Sequence, residues 1–299
     1  MIPTIGIEAD WLSSLKPCRI TLICLAVLCL TGCNTPWTGP LTSQGQYYLE
    51  FEHDDLTRSF QLHIPTDYSG EVSVPLHFDI HPWYTNAYLM EWMTDMRSAS
   101  DTSGFILVQP NGIDNSWNAG PKCCSPANED GIDDVGVIRA ITEELIAKGL
   151  NIDLNRVFLD GMSNGGYLSN RIACEDPELV AGIAVVVGSM GYDSVDQCQP
   201  STPVPVLMIS GGDDNLASRE ETFNRWLVLN NCKNSTSETI GVFSCETFTD
   251  CDAGVETTHC VGAGVGHCWP GTDFFFYGCN RDLDASSYIL DFFSRINSG

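Results

Sequence analysis

Residues Asn155–Cys174 read NRVFLDGMSNGGYLSNRIAC, and this stretch decides the architecture. RVFLDG has the apolar character of a buried strand and YLSNRIAC suits a helix. Between them Gly161-Met162-Ser163-Asn164-Gly165, with Gly166 behind it, is the one GxSxG of the chain. A sharp strand-to-helix turn holds its serine in a strained backbone conformation and accepts only small residues two positions to either side. A serine at the head of a helix also faces the positive end of the helix dipole, which favours a developing negative charge. The pattern alone arises by chance in roughly one chain in five. The alternative is a structural turn with an inert serine; the flanking strand and helix favour the reactive one.

Outward from this turn, strand-like and helix-like segments alternate. Strands are expected at 47–51, 59–64, 76–80, 105–108, 157–159, 183–187, 206–209 and 257–261, and helices at 135–148, 167–174, 219–229 and 285–296. That alternation implies an α/β fold with a parallel sheet covered on both faces. No internal repeat or low-complexity tract interrupts it.

A serine nucleophile needs a base, and the base needs an acid to orient it. Asp213 and Asp214 follow the apolar 206–209 segment, at the carboxyl end of a strand where such sites gather. Downstream, two histidines remain. His259 lies within a strand-like segment and reads as a buried side chain. His267 lies in GAGVGHCWPG (262–271), a glycine-rich loop able to present an imidazole, and is the favoured base.

The chain resembles the extracellular polyhydroxybutyrate-depolymerase-like esterases of the α/β-hydrolase superfamily, which include feruloyl and acetylxylan esterases. The likeness is carried by RSFQLHIP (58–65), WNAGPKCC (117–124), DDVGVI (133–138), NRVFLDGMSNGG (155–166) and GHCWPG (266–271). It implies an α/β-hydrolase fold and a triad of Ser163, Asp214 and His267, because the family's HGTxD-like segment aligns Asp214 with the acid; Asp213 is the runner-up. One departure stands out: where the family reads LHG, this chain has Ile80-His81-Pro82-Trp83. Proline has no N–H to donate, so the expected oxyanion donors are the N–H groups of Trp83 and Asn164. Trp117, Asn118 and Trp269 are candidates for the substrate wall, with core packing as the alternative for the tryptophans. The implied activity is two-step ester hydrolysis through an acyl-enzyme, on polyhydroxyalkanoate-type or plant-wall feruloyl and acetyl esters, with no cofactor and no metal. The rivals are a non-catalytic surface binding lipoprotein on the same fold, toward which Pro82 leans, and a secreted serine peptidase.

Composition bounds the setting. The 299 residues carry 14 Lys and Arg against 39 Asp and Glu, a net charge of −25. That excludes nucleic-acid and polybasic membrane-surface binding, both of which need clustered positive charge. Fourteen cysteines point to an oxidising compartment. Residues 20–30 (ITLICLAVLCL) form an apolar run of eleven behind Lys16 and Arg19. It is too short for a membrane span of roughly 20 residues but suits a signal peptide. Leu30-Thr31-Gly32-Cys33 has the form of a bacterial lipobox. The expected organisation is a signal at 1–32, lipidation of Cys33 with a Pro/Gly/Ser/Thr-rich tether over 33–46, and a catalytic domain over 47–299 acting as a monomer. The membrane contact is through that anchor alone, and the alternative is an ordinary signal peptide with Cys33 incidental. Glu8 and Asp10 are odd in a signal, and a start at Leu15 would leave a compact one; N-terminal sequencing of the precursor that found residues 1–14 would exclude it. Beyond Cys33 ten cysteines remain, enough for five bridges of undetermined connectivity. Without a CxxC pair, a zinc site is the weaker reading.

Overall fold

The structure, a computed structural model, describes residues 41, 43–272 and 279–296. The expected signal, Cys33 and most of the tether lie outside the described residues. Packing begins ahead of residue 47, where the catalytic domain was expected to start: Leu41 is buried with its N–H on Lys148 O (2.9 Å), and the first strand begins at Gly45. No helix among the described residues is long and apolar enough to cross a membrane.

Among the described residues ten strands form one sheet. In chain order they are β1 (Gly45–His53), β2 (Leu56–Ile64), β3 (Val74–Ile80), β4 (Ile106–Asn111), β5 (Ile152–Met162), β6 (Gly182–Val186), β7 (Val206–Gly211), β8 (Ser235–Ile240), β9 (Phe243–Phe248) and β10 (Thr257–Gly262). Their spatial order is β1-β2-β4-β3-β5-β6-β7-β10-β9-β8. The six central strands β4, β3, β5, β6, β7 and β10 run parallel. Antiparallel hairpins close both sides, β1–β2 at one edge and β8–β9 at the other.

Six α-helices among the described residues cover the sheet: α1 (Ala87–Thr94), α2 (Met96–Ser103), α3 (Asp134–Ala147), α4 (Asn164–Glu175), α5 (Arg219–Leu229) and α6 (Ala285–Ile296). Successive strand residues point to opposite faces, and both faces here are apolar. Val157 and Leu159 of β5 and Val206 and Met208 of β7 join the core under α3, α4 and α5. Phe158, Met162, Leu207 and Ile209 join the core under α1, α2 and α6. Burial on both faces is why the central strands read as continuous apolar runs rather than alternating ones. Parallel order aligns the carboxyl ends of β3, β4, β5, β7 and β10 on one edge, and the loops leaving those ends carry the expected triad, oxyanion donors and substrate wall.

Candidate active site

Ser163 occupies the turn between β5 and α4 with φ 51° and ψ −118°, a conformation costly for any residue but glycine. The neighbouring glycines explain how the turn fits. A Cβ on Gly161 would meet the Gly165 carbonyl carbon at 2.4 Å, and one on Gly165 would meet Ile80 O at 2.1 Å. The head of α4 therefore packs backbone to backbone against the end of β3, next to the Pro82 loop.

His267 and Asp214 meet across the neighbouring loops. His267 Nδ1 bonds Asp214 Oδ2 at 2.9 Å, which leaves Nε2 as the nitrogen available to a nucleophile. Asp214 is buried and its Oδ1 accepts from Leu216 N (2.9 Å), whereas Asp213 is exposed. Burial opposes ionisation of Asp214, but the bonds from His267 and Leu216 and the Arg219 charge outweigh it, so its pKa is lowered and it stays a carboxylate. A Cβ on Gly211 would lie 2.3–2.4 Å from the Gly266 and Val265 carbonyl oxygens, and the Asp213 N–H bonds Val265 O (2.9 Å), so the acid and base loops are pressed together. The rejected histidine, His259, is buried on Ser210 Oγ and burial lowers its pKa to about 4.

Two backbone N–H groups remain for an oxyanion. The Ser163 N–H is committed to Val186 O, while Asn164, first residue of α4, has no acceptor for its N–H among the described residues. In the Pro82 loop, Tyr84 N–H goes to Asn115 O and Thr85 N–H to Pro82 O, leaving the Trp83 N–H without an acceptor among the described residues. Far from being loose, this loop is pinned. His81 Nε2 accepts from Gly112 N and its Nδ1 donates to Pro82 O. Burial lowers the His81 pKa to about 4, so the ring stays neutral and can accept and donate at once.

Trp117 ties both donor segments together. Its Nε1–H donates to His81 O, its N–H donates to Asn164 Oδ1, and its carbonyl accepts from Asn164 Nδ2. Its ring is fully buried against His81, under the Arg58 guanidinium. Trp269 is equally buried, with Nε1–H on Ser286 Oγ. Asn118 gives its N–H to Asp134 Oδ2 and its side chain to Ile132 O, and Asp134 in turn holds Arg58. Trp117 and Trp269 take the packing alternative, their indoles buried and bonded inside the protein, whereas Asn118 is half-buried. The aromatic surface lies elsewhere: Trp83, Tyr84 and Tyr88 are 39%, 70% and 67% exposed, and Trp83 stacks on Tyr84 at 4.2 Å. Their signal was readable as aromatic residues at 83, 84, 88 and 92, of which Tyr88 and Trp92 stand four residues apart on α1. A cluster of metal-ligand type, His53, Asp54 and Asp133, lies at an exposed turn and includes none of these residues.

No family model matches the chain. Among characterised proteins it is 26% identical over 227 residues to feruloyl esterase B of Piromyces equi, covering 68% of this chain and 41% of that protein. It is 24% identical to probable feruloyl esterase C of Aspergillus niger, across 90% and 87% of the two chains. Among solved structures, an acetyl xylan esterase from Aspergillus awamori superposes with a TM-score of 0.63 over 84% of this chain and 99% of that one, at 16% identity. The chain is similar to feruloyl and acetylxylan esterases and has the α/β-hydrolase fold. The chain spans less than half the length of the Piromyces relative. Polyhydroxybutyrate depolymerases, the other half of the expected resemblance, are not among these relatives. Four of the segments quoted for the resemblance meet here: Arg58, Trp117, Asn118, Asp134 and Asn164 form a hydrogen-bonded brace behind the Pro82 loop.

Proposed function

We propose that the chain is a serine carboxylic ester hydrolase that works through an acyl-enzyme on feruloyl or acetyl esters of plant-wall saccharides. The observation that carries the reading is the His267–Asp214 bond on the same sheet edge as the strained Ser163. Ser163 Oγ attacks the ester carbonyl while His267 Nε2 takes its proton, and Asp214 holds the imidazole in the tautomer that can accept it. The N–H groups of Trp83 and Asn164 stabilise the oxyanion, each worth about 2.7–4 kcal/mol of barrier. His267 then returns the proton to the leaving alcohol, and a water activated by His267 releases the acid. Pro82 removes one N–H from the loop but not the one the mechanism uses, which favours a working enzyme over a binding protein on the same fold.

The stacked Trp83–Tyr84 pair beside the oxyanion donors suits an aromatic acyl group or a sugar ring, both of which pack on aromatic faces. The cysteine content suits an extracytoplasmic site of action, with Cys33 as the lipid anchor. Ser163→Ala should abolish hydrolysis of p-nitrophenyl acetate and methyl ferulate, with circular dichroism and thermal midpoint unchanged; retained activity would reject Ser163 as nucleophile. A panel of methyl ferulate, acetylated xylan and polyhydroxybutyrate film ranks the substrate classes. Preference for the film would overturn the plant-wall assignment, and cleavage of casein instead of esters would move the chain to the peptidases.

A further inference from the structure

Eight of the ten cysteines beyond Cys33 are paired: Cys123–Cys124, Cys174–Cys198, Cys232–Cys251 and Cys245–Cys260. The other two, Cys268 and Cys279, carry free thiols. They are not scattered. Their sulfurs are in hydrogen-bond contact with each other, the Asn280 N–H points at Cys268 Sγ, and the Trp269 N–H points at Cys279 Sγ. The two chain segments are also joined by the Gly271 N–H on Asn280 O at 2.9 Å. Cys268 is buried and directly follows His267; Cys279 is half-buried and reachable from solvent.

We propose that Cys268 and Cys279 form a fifth disulfide, which fixes the loop presenting His267 to the segment leading into α6. The contact between the thiols sets the order of the chemistry. The Cys268 hydrogen bond lowers the Cys279 pKa, while the Cys279 hydrogen bond, with burial, raises that of Cys268. Cys279 is therefore the attacking thiolate. It attacks one sulfur of an external disulfide, glutathione disulfide or the disulfide of a thiol oxidase, giving a mixed disulfide and expelling one thiolate. Cys268 then loses its proton and attacks Cys279 Sγ, which expels the second thiolate and closes the bridge. Two thiol S–H bonds are broken and one S–S bond is formed; the external disulfide takes up the two electrons and becomes a dithiol. Once formed, the bridge anchors the residue next to His267, so Cys268 and Cys279 act as positioning residues for the imidazole.

The bond itself is tested without reference to activity. Protein exported to an oxidising compartment is denatured, alkylated without reductant, digested and mapped by mass spectrometry. The expected product is one linked peptide pair containing Cys268 and Cys279, separable only by reductant. Alkylation of both residues, or linkage of either to another cysteine, overturns the bridge. Its positioning role rests on the esterase reading and is tested with the double variant Cys268→Ser/Cys279→Ser. About a tenfold fall in kcat is expected, with KM unchanged and the acid limb of the pH–rate profile displaced; an unchanged kcat and profile would leave the bridge standing and remove its role at His267. If the variant does not fold, graded reduction of the native protein provides the second readout, with loss of activity expected to track release of these two thiols. A linked peptide pair in a protein that cleaves no ester sustains the bridge and rejects the hydrolase.

Discussion

Asn164 contributes twice to the proposed chemistry: its backbone N–H faces the oxyanion, and its amide side chain grips both the N–H and the carbonyl of Trp117. Asn164→Ala keeps the first and removes the second. It leaves the buried Trp117 N–H without a partner, at about 1–3 kcal/mol, while the Trp117 carbonyl keeps the Cys124 N–H. The expected outcome is a thermal midpoint lowered by several degrees and kcat reduced about 10- to 100-fold at nearly constant KM. A variant with wild-type kcat would show that the amide does not set the donor's position. The same residue marks the limit of what could be read from sequence. The turn at Ser163 and the loop of His267 were legible because their glycines are dictated by backbone contacts with few alternatives. Trp117 and Trp269 were not, since an indole in a loop looks the same whether its N–H ends on a buried carbonyl or in solvent. The choice between Asp213 and Asp214 likewise depends on which carboxylate the Val265 and Gly266 carbonyls turn inward, a tertiary fact that chain order leaves open.

Between β3, β4, β5 and α1 lies a buried acid network that serves no step of the mechanism. Asp79 and Asp160 are register partners on β3 and β5. Asp79 Oδ2 accepts from Thr94 and Gln109, Gln109 also donates to Glu91, and His77 bonds Asp160. The Oδ1 atoms of both aspartates are buried without a donor. Burial raises the pKa of Asp79 and Asp160, and it raises Glu91 to about 7 against the pull of Arg97. In the unfolded chain these groups ionise near pH 4, whereas the fold keeps them protonated to higher pH. Their contribution to stability is therefore complete below about pH 4 and is lost as pH rises toward and past 7. Asp214, with its lowered pKa, works in the opposite sense and is lost below about pH 4. Stability should peak near pH 5 and decline toward pH 8, and Asp160→Asn should flatten that decline in chemical denaturation measured across the range. A wild-type profile that rises from pH 5 to 8 would show the network to be ionised in the fold. At this scale the sequence was uneven. The buried strands and the longer helices were evident, but α1 and α2 are eight residues each and break at Asp95, whose φ of 51° ends the 3.6-residue repeat too soon to be seen. Strand β8, STSETI, is exposed along nearly its whole length and carries no apolar signal at all.

Across the whole molecule the net charge of −25 separates into two populations with opposite consequences. Asp79, Glu91, Asp134, Asp160 and Asp214 are the buried acids among the described residues, each partnered by a hydrogen-bond donor and several neutral or paired. The excess is therefore carried by side chains in contact with water, where like charges repel and are screened over about 10 Å at 0.1 M salt and about 3 Å at 1 M. Self-repulsion of this kind weakens the compact state without altering its contacts. Raising sodium chloride from 0.02 M to 0.5 M should lift the thermal midpoint by a few degrees at pH 7, with most of the gain complete by about 0.2 M, where the screening length has fallen below typical spacings between surface charges. At pH 5, where part of the carboxylates are protonated, the same addition should produce a smaller gain. A midpoint indifferent to salt at pH 7 would mean that the few bases already neutralise the acids locally, as Arg139 with Asp176 and Arg295 with Glu256 do. With 14 bases against 39 acids that compensation cannot extend over the surface, so the salt response tests directly whether the acidity shapes the stability of the fold or only its solubility.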